Sequence, residues 1–469
     1  MPLLTFSHLK TSLSRLARTA VLSFTLVALF SMVGCSGLQI SAEDLMSPPI
    51  LTKEQAQIRS ALAQVTGDNE IKYKYPQNGE YHSSFIFHDI DGDSKDEALV
   101  FYQSPSKGSA AWVNILDQQP SGKWVSVCET PAPNGASNID FVSFEHLLSP
   151  DSISLVIGWA DDRSSKTVLA YNYEDGRLIP IFERAYTDIA ITDLDSNGST
   201  DLVLFSRQAQ STLVFLACRT ENGFETVDSA QLDRGIVSFD SILSGKYTAT
   251  SNALFLDSTI DLYESPFQIT DVISARVQPD GSSKLINLLD NDFASLSQNT
   301  LRPAQNLFCR DINEDGIIEI PTVEPLPGYD GVFDESSLFL TTYNAVSSSS
   351  RLMPRKSGVI NSQHRYMVVF PTRWLNGNVS AVVQPENGEW TFFAYNDDLS
   401  DTSHPLLKIR VYSAKDYHDK FDTDYFKLIM QKGLFEYYAY LPEESSSGAV
   451  SALAISEKEL KEQMFFLLD

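Results

Sequence analysis

The chain has 469 residues, with 61 acidic against 35 basic side chains, a formal charge of −26, 43% apolar residues and 20% charged ones. That balance excludes a disordered acidic tail, a polytopic membrane protein and, for want of a basic footprint, a nucleic-acid binder. Four cysteines are too few for a disulfide miniprotein, and the length suffices for roughly two or three cores.

The first 18 residues carry Lys10, Arg15 and Arg18 and no acid, and residues 19–34 (TAVLSFTLVALFSMVG) are apolar and end in small residues before Cys35. A basic start, a short apolar run and small residues make a secretory signal over 1–34, and the run is marginal for a hydrocarbon core of ~30 Å. Met32-Val33-Gly34-Cys35 is similar to the lipobox of bacterial lipoproteins, with Met32 where that pattern usually has leucine. The resemblance implies cleavage before Cys35, lipidation of Cys35, and a body tethered by the lipid to the extracellular face of the cytoplasmic membrane. An uncleaved anchor with a chance cysteine is the alternative, and both place the bulk of the chain outside that membrane. Cys128, Cys218 and Cys309 are odd in number, far apart and without a Cys-x-x-Cys, so they read as small hydrophobes and not as a disulfide or zinc framework.

Residues 35–80 hold a Ser- and Pro-containing tether to about Pro49, then a short helix opened by a Thr52/Gln55 capping box. From 81 to 345 the chain changes to short runs such as FIFHDI, ALVFY, SLVIGW, TVLAYNY, DLVLF and TLVFLAC, separated by Gly, Pro, Asn, Asp and Ser. Such runs with turn chemistry between them predict many strands and few helices, with hairpin turns at Asn222-Gly223 and Asp280-Gly281. The Ser-rich stretch Ser347–Ser350 reads as a linker, with a domain boundary near 360. Beyond it, 361–469 reads as a small α+β domain: four strand-like runs, a helix from Asp424 to Lys432 stopped by Gly433, another strand, and a terminal helix. That last helix opens at a Ser456/Glu459 capping box and carries Leu460, Met464, Phe465 and Leu468 on one stripe.

One pattern recurs within 81–345. FIFHDIDGDSKDEALVFY, IAITDLDSNGSTDLVLF and LFCRDINEDGIIEIPTV place oxygen-bearing side chains at positions 1, 3, 5 and 9 of a loop. They are Asp89, Asp91, Asp93 and Glu97; Asp193, Asp195, Asn197 and Asp201; and Asp311, Asn313, Asp315 and Glu319. The copies start 104 and 118 residues apart, which fits two units per interval, in line with blade periods of ~40–50 residues. Intermediate copies near Ser154–Asp162 and Leu254–Asp261 keep the flanks and lose the acids.

A hard cation such as Ca²⁺ takes about six to eight oxygens, and alternating carboxylates on a curled loop can supply several of them. Position 12, which an EF-hand fills with a bidentate Glu, holds Val100, Leu204 and Thr322, so these loops belong between strands. The same Asp and Asn residues also suit Asx turns that need no ion. Gly198 and Gly316 stand at position 6 of their loops, whereas the first loop has Gly92 at position 4.

The Asp-x-Asp/Asn-x-Asp/Asn loop between short strands resembles the FG-GAP/VCBS repeats of integrin-alpha-like β-propellers, without their regular Phe-Gly and Gly-Ala-Pro signatures. The resemblance implies a mainly β fold, a propeller of about six to seven blades, some degenerate. It also implies structural Ca²⁺ at the twelve residues above, and a loop face that binds a protein or glycan partner. With the lipobox, the whole chain resembles a surface lipoprotein of Gram-positive bacteria.

No Gly-x-Ser-x-Gly elbow, His-Glu-x-x-His helix, phosphate loop or dinucleotide fingerprint occurs, and the six histidines after the signal are scattered. Trp112, Trp124, Trp159, Trp374 and Trp390 lie in or beside strand-like runs and read as core. The expectation is a lipid-anchored, non-catalytic extracellular binding or scaffold protein. The alternative is a glycosidase or lyase using carboxylates on the propeller face.

Overall fold

A computed structural model of the chain describes residues 52–67, 71–208, 211–232, 235–262, 265–289, 300–303, 306–329, 337–347, 349–384, 386–413, 425–442 and 449–468. The signal over 1–34, Cys35 and the tether to residue 51 lie outside the described residues. Among the described residues no helix is long and apolar enough to cross a membrane.

Two units are distinguished, Met1–Ser60 and Ala61–Asp469. In the first, the capping box forms reciprocally: Thr52 N–H donates to Gln55 Oε1 at 3.1 Å and Gln55 N–H to Thr52 Oγ1 at 3.2 Å. Two donors at the start of helix α1 (Lys53–Thr66) are satisfied in this way.

The second unit is mainly β. Its apolar runs become antiparallel strands grouped in six sheets among the described residues. Sheet one holds β1 (Lys72–Tyr73), β2 (Phe85–His88), β3 (Glu97–Gln103), β4 (Trp112–Gln118) and β5 (Trp124–Pro131). Sheet two is β6 (Asn138–Ser149), β7 (Ser152–Ala160), β8 (Lys166–Glu174) and β9 (Arg177–Tyr186). Sheet three is β10 (Asp188–Thr192), β11 (Asp201–Gln208), β12 (Ser211–Thr220) and β13 (Gly223–Leu232). Sheet four is β14 (Ile236–Thr248), β15 (Ser251–Leu262), β16 (Ser265–Val277) and β17 (Ser283–Asn287), with β18 (Arg302–Pro303) added to β16. Sheet five is β19 (Ile320–Pro325), β20 (Phe339–Val346), β21 (Leu352–Asn361) and β22 (Tyr366–Val369). Sheet six is β23 (Val379–Gln384), β24 (Glu389–Ala394), β25 (Pro405–Ser413), β26 (Lys427–Lys432) and β27 (Phe435–Tyr440), and the last strand, β28 (Phe465–Leu467), returns to β22 of sheet five.

Each sheet packs a face on the next one, which explains why the strand runs are continuously apolar and not alternating. In β7, Leu155, Ile157 and Trp159 join Ile86, Leu99 and Phe101 of sheet one, while Val156 between them joins Leu202 and Leu204 of sheet three. In β11, Val203 and Phe205 turn the other way and pack with Leu254 and Leu256 of β15. Ala253 and Phe255, on the opposite face of β15, meet Ile320 and Val346 of sheet five. Val359, Tyr366 and Val368 of sheet five meet Phe392, Leu407 and Ile409 of sheet six. Successive side chains point to opposite faces, so a strand with both faces covered is apolar on both, with few polar positions such as Ser154 and Asp257. Trp124, Trp159, Trp374 and Trp390 are buried accordingly, as are Cys218 and Cys309.

Several expectations are corrected. A boundary near 360, with separate bodies at 81–345 and 361–469, cuts through sheet five, where β21 pairs with both β20 and β22. The serine-rich stretch is a hairpin turn and not a linker: Ser347 N–H donates to the Arg351 carbonyl at 2.8 Å and Ser350 N–H to the Ser347 carbonyl at 2.9 Å. The helix expected over Asp424–Lys432 is strand β26 from Lys427 onward, paired with the aromatic run of β27 (Leu428 opposite Tyr438, Lys432 opposite Phe435). Gly433, at φ 61°, turns that hairpin and does not cap a helix. Good helix formers yield here because a partner strand is available to pair with them. At the C-terminus Ser456 Oγ accepts the Glu459 N–H at 3.1 Å as expected, but the helical turns end at Met464 and Phe465 already belongs to β28.

Candidate functional site

The three acidic loops share one register. His88 pairs with Glu97, Thr192 with Asp201 and Arg310 with Glu319, so each loop leaves its first strand just before position 1 and re-enters at position 9. They open sheets one, three and five. In sheets two and four the matching connections are tight turns, closed by the pairs Ser149–Ser152 and Thr248–Ser251, and the intermediate copies fall in strands β7 and β15. Two residues leave no room for a curled loop of oxygens, which is why those copies lack the acid spacing.

Backbone donors are gathered in the same way each time. The position 1 aspartate accepts the N–H of position 6, from Ser94 at 2.9 Å, Gly198 at 2.9 Å and Gly316 at 2.7 Å. The position 9 carboxylate accepts the N–H of position 2, from Ile90 at 2.9 Å, Leu194 at 2.9 Å and Ile312 at 3.0 Å. Positions 4 and 6 both adopt positive φ in all three loops: Gly92 and Ser94, Ser196 and Gly198, Glu314 and Gly316. A glycine at either position relieves half of that demand, so the first loop is no exception to the other two.

The carboxylate oxygens of Asp89, Asp91 and Glu97 lie within 4.8 Å of one another, and so do those of Asp193, Asp195 and Asp201. Oxygens on opposite sides of an ion at about 2.4 Å are about 4.8 Å apart, so each trio fits around a cation of calcium's size. Asp93 is turned to Lys95 at 2.6 Å, where both side chains are exposed, and Asn197 Oδ1 accepts the Ser199 N–H at 2.8 Å. In the third loop the backbone is the same, but Asn313 Nδ2 reaches Asp315 Oδ2 at 3.1 Å and Glu319 Oε1 at 3.2 Å, and the carboxylates of Asp311, Asp315 and Glu319 do not form a trio.

Burial sets the electrostatics. Glu97, Asp201 and Glu319 are at most 1% exposed. Burial first, and the neighbouring aspartates next, push the carboxyls of Glu97 and Asp201 up to about 7 and that of Glu319 up to about 6. Among the described residues Asp201 Oδ1 has no hydrogen bond of ordinary geometry. A buried carboxylate among carboxylates is stable only with a proton or a cation, and the orphaned oxygen suits a cation.

Residues far away in sequence complete the second loop. Asn252 donates from Nδ2 to the Asp193 carbonyl at 2.7 Å and from its N–H to Ser196 Oγ at 3.0 Å, and Ser283 Oγ donates to Asp195 Oδ2. All of this lies on sheet four, 56 or more residues along the chain from the loop residue it meets, and no local pattern in the sequence announces it.

A second feature is a cleft of about 540 Å³ lined by strands of four consecutive sheets: His88 of β2, Asp140 to Glu145 of β6, Asp188, Ile189 and Ile191 of β10, and Ile242 of β14. At its floor Asp140, 6% exposed, accepts from Asn78 Nδ2 at 2.7 Å and Tyr186 OH at 2.6 Å and pairs with Lys166 Nζ at 3.0 Å. Gly158 permits this approach, because a Cβ there would collide with the Tyr186 hydroxyl and the Phe141 ring. His88 is half-buried, its ring stacked on Phe144 at 3.8 Å and 15°. Nothing in the spacing of these residues along the chain points to the cleft.

No family model and no curated protein sequence matches the chain. Among solved structures it is similar to the rhamnogalacturonan lyase YesW, at 8% identity and a TM-score of 0.25 over 79% of this chain and 74% of that one. A rhamnogalacturonan lyase of Bacillus licheniformis gives 8% and 0.25 over 70% and 71%, and the AfRom2 CNH domain 10% and 0.23 over 76% and 93%. At scores this low the overlap carries no argument about fold or activity.

Proposed function

We propose that the chain is a lipid-anchored extracellular binding protein, non-catalytic, built on a six-bladed β-propeller whose alternate blades take Ca²⁺ at their first loop. The observation that carries the reading is the shared loop register on sheets one, three and five, with buried acids gathered in the same places. The blade arrangement is supported by the cleft, because one early strand from each of four successive sheets meeting at one opening is what radial packing about an axis produces. Asp89, Asp91 and Glu97 would hold one ion and Asp193, Asp195 and Asp201 another. The third loop would take its ion only after Asn313 turns its oxygen inward.

The anchor reading rests on Met32-Val33-Gly34-Cys35 and is tested by radiolabelled palmitate, incorporated by the wild type and not by Cys35→Ala. The calcium reading is tested by melting the full chain in EDTA and in millimolar calcium: a higher midpoint with calcium is expected, and equal midpoints would overturn it. The competing enzyme reading would replace the binding one if glycan turnover were found and lost in Glu145→Gln.

A further inference from the structure

The cleft is unbalanced in charge. Glu80, Asp140, Glu145 and Asp188 face it against one ammonium, Lys166. Asp140 holds Lys166 at 3.0 Å, and Asp188 has Arg207 at 3.9 Å. Glu80 and Glu145 have no ion-pair partner among the described residues. Burial first, and then the charges of these two carboxylates, push the Tyr81 phenol up.

The cleft also carries rings. Tyr81 meets Phe144 edge-on at 5.5 Å, and Phe144 stacks on His88 at 3.8 Å. The cleft acids form no trio of the kind that an inorganic cation needs; the trios among the described residues are those of the two loops. An uncharged sugar would lie well on the rings and could give hydroxyls to the carboxylates, but it would leave their charge unneutralised, Glu145 having only the Ser143 hydroxyl against it among the described residues. An organic cation satisfies both demands, with charge against the carboxylates and carbon against the ring faces.

We infer that this cleft is a binding site for a small primary or quaternary amine, with Glu80 and Glu145 as countercharges and Tyr81, Phe144 and His88 as the wall that takes its carbon skeleton. The inference deepens the binding reading above and rests on it only in taking the protein as a binder. It does not require calcium in the loops.

The test is calorimetric titration of the full chain with cadaverine and, separately, tetramethylammonium, using glutarate and cellobiose as the anionic and neutral controls, in calcium and again in EDTA. Saturable amine binding is expected, weakened by added salt and about ten-fold weaker or worse in Glu80→Gln/Glu145→Gln, with glutarate and cellobiose silent. Unchanged circular dichroism and melting show that the variant is folded. If the double variant does not fold, Glu80→Gln alone, at an exposed side chain, serves with a loss of about three-fold. No amine binding to the folded wild type, cellobiose binding as tightly as the amines, or amine affinity unchanged in the folded variants would each overturn the inference. Failure of EDTA to lower the melting midpoint would instead remove the calcium reading and leave the amine result standing.

Discussion

Replacing Asp201 by asparagine separates the two ways in which the second loop can be held together. Asp201 is fully buried; its Oδ2 accepts the Leu194 N–H at 2.9 Å and its Oδ1 has no hydrogen bond of ordinary geometry among the described residues. Burial, then Asp195 and Asp193, raises its carboxyl from an ordinary 3.8 to about 7. A folded-state value above the unfolded one means that the metal-free protein binds this proton more tightly when folded, so its stability falls as pH rises from about 4 to about 7. At pH 8 the ionisation penalty is at most roughly 4 kcal/mol, reduced by relaxation and water entry to about 1–2 kcal/mol. The amide of Asp201→Asn escapes that penalty, keeps an oxygen for Leu194 and offers donors to the neighbouring aspartates. In EDTA the variant should therefore be the more stable protein by about 1–2 kcal/mol. In about 2 mM calcium the wild type gains about 0.6–1.8 kcal/mol per site for a dissociation constant of ~10⁻⁴–10⁻³ M, and the variant lacks that gain at this site. Urea unfolding followed by tryptophan fluorescence at pH 8, with and without calcium, measures both differences. A variant less stable than wild type in EDTA that still shows the full calcium increment would refute the reasoning, and would make the loop an assembly of Asx turns.

Three further perturbations follow from the packing. Arg302 and Asp257 form a fully buried pair, with Nη2 at 2.8 Å from Oδ1, and Asp257 also accepts the Cys309 N–H at 2.7 Å and the Thr270 hydroxyl at 2.6 Å. Arg302→Met strands that carboxylate and should cost about 3–5 kcal/mol in urea unfolding, part of it recovered when Asp257→Asn is added. Gly158→Ala should cost about 1–3 kcal/mol by overpacking against Phe141 and Tyr186, read as a lower melting midpoint, and should also weaken amine binding through the displaced Tyr186. Glu389, 1% exposed, meets Lys408 Nζ at 2.9 Å and Arg410 Nε at 2.6 Å. Burial pushes its carboxyl up, but the two cations outweigh burial and hold it below 4.5. Its stabilisation is thus present above the unfolded value and lost as pH falls through the folded one, so Glu389→Gln should flatten the acid limb of a urea-midpoint titration.

The β character and the acid loops were legible because both are local. Strand-forming runs between turn residues announce themselves, and a loop closed by a fixed register repeats its own donors and acceptors. The spacing of 104 and 118 residues likewise anticipated two sheets per interval. What the sequence hid was non-local. Lys427–Lys432 carries good helix formers and is a strand only because β27 lies beside it. Ser347–Ser350 has a linker's composition and a hairpin's hydrogen bonds. Asn252 and Ser283 serve the second loop from another sheet, and the cleft draws on four strands spread over more than 150 residues.

The placement of the loops has a mechanical consequence. A sheet covered on both faces is held to its neighbours by dispersion and apolar burial, which are strong and non-directional, and which permit sliding. The loops add directional contacts at the seams. The second loop is tied to sheet four through Asn252 and Ser283, and the third to β14, where the Ile318 N–H donates to the Lys246 carbonyl at 2.9 Å. The first has no such hydrogen bond among the described residues, but its Ile90 packs in the same apolar cluster as Tyr173 of sheet two. Each loop therefore reaches across to a neighbouring sheet, and a cation drawing its carboxylates together would fix one sheet against another. His88, which immediately precedes the first loop, is also part of the ring wall of the cleft. Loop order and cleft shape thus share a strand, and the ordering of a loop that contains no cleft residue can still set the position of His88, which is one.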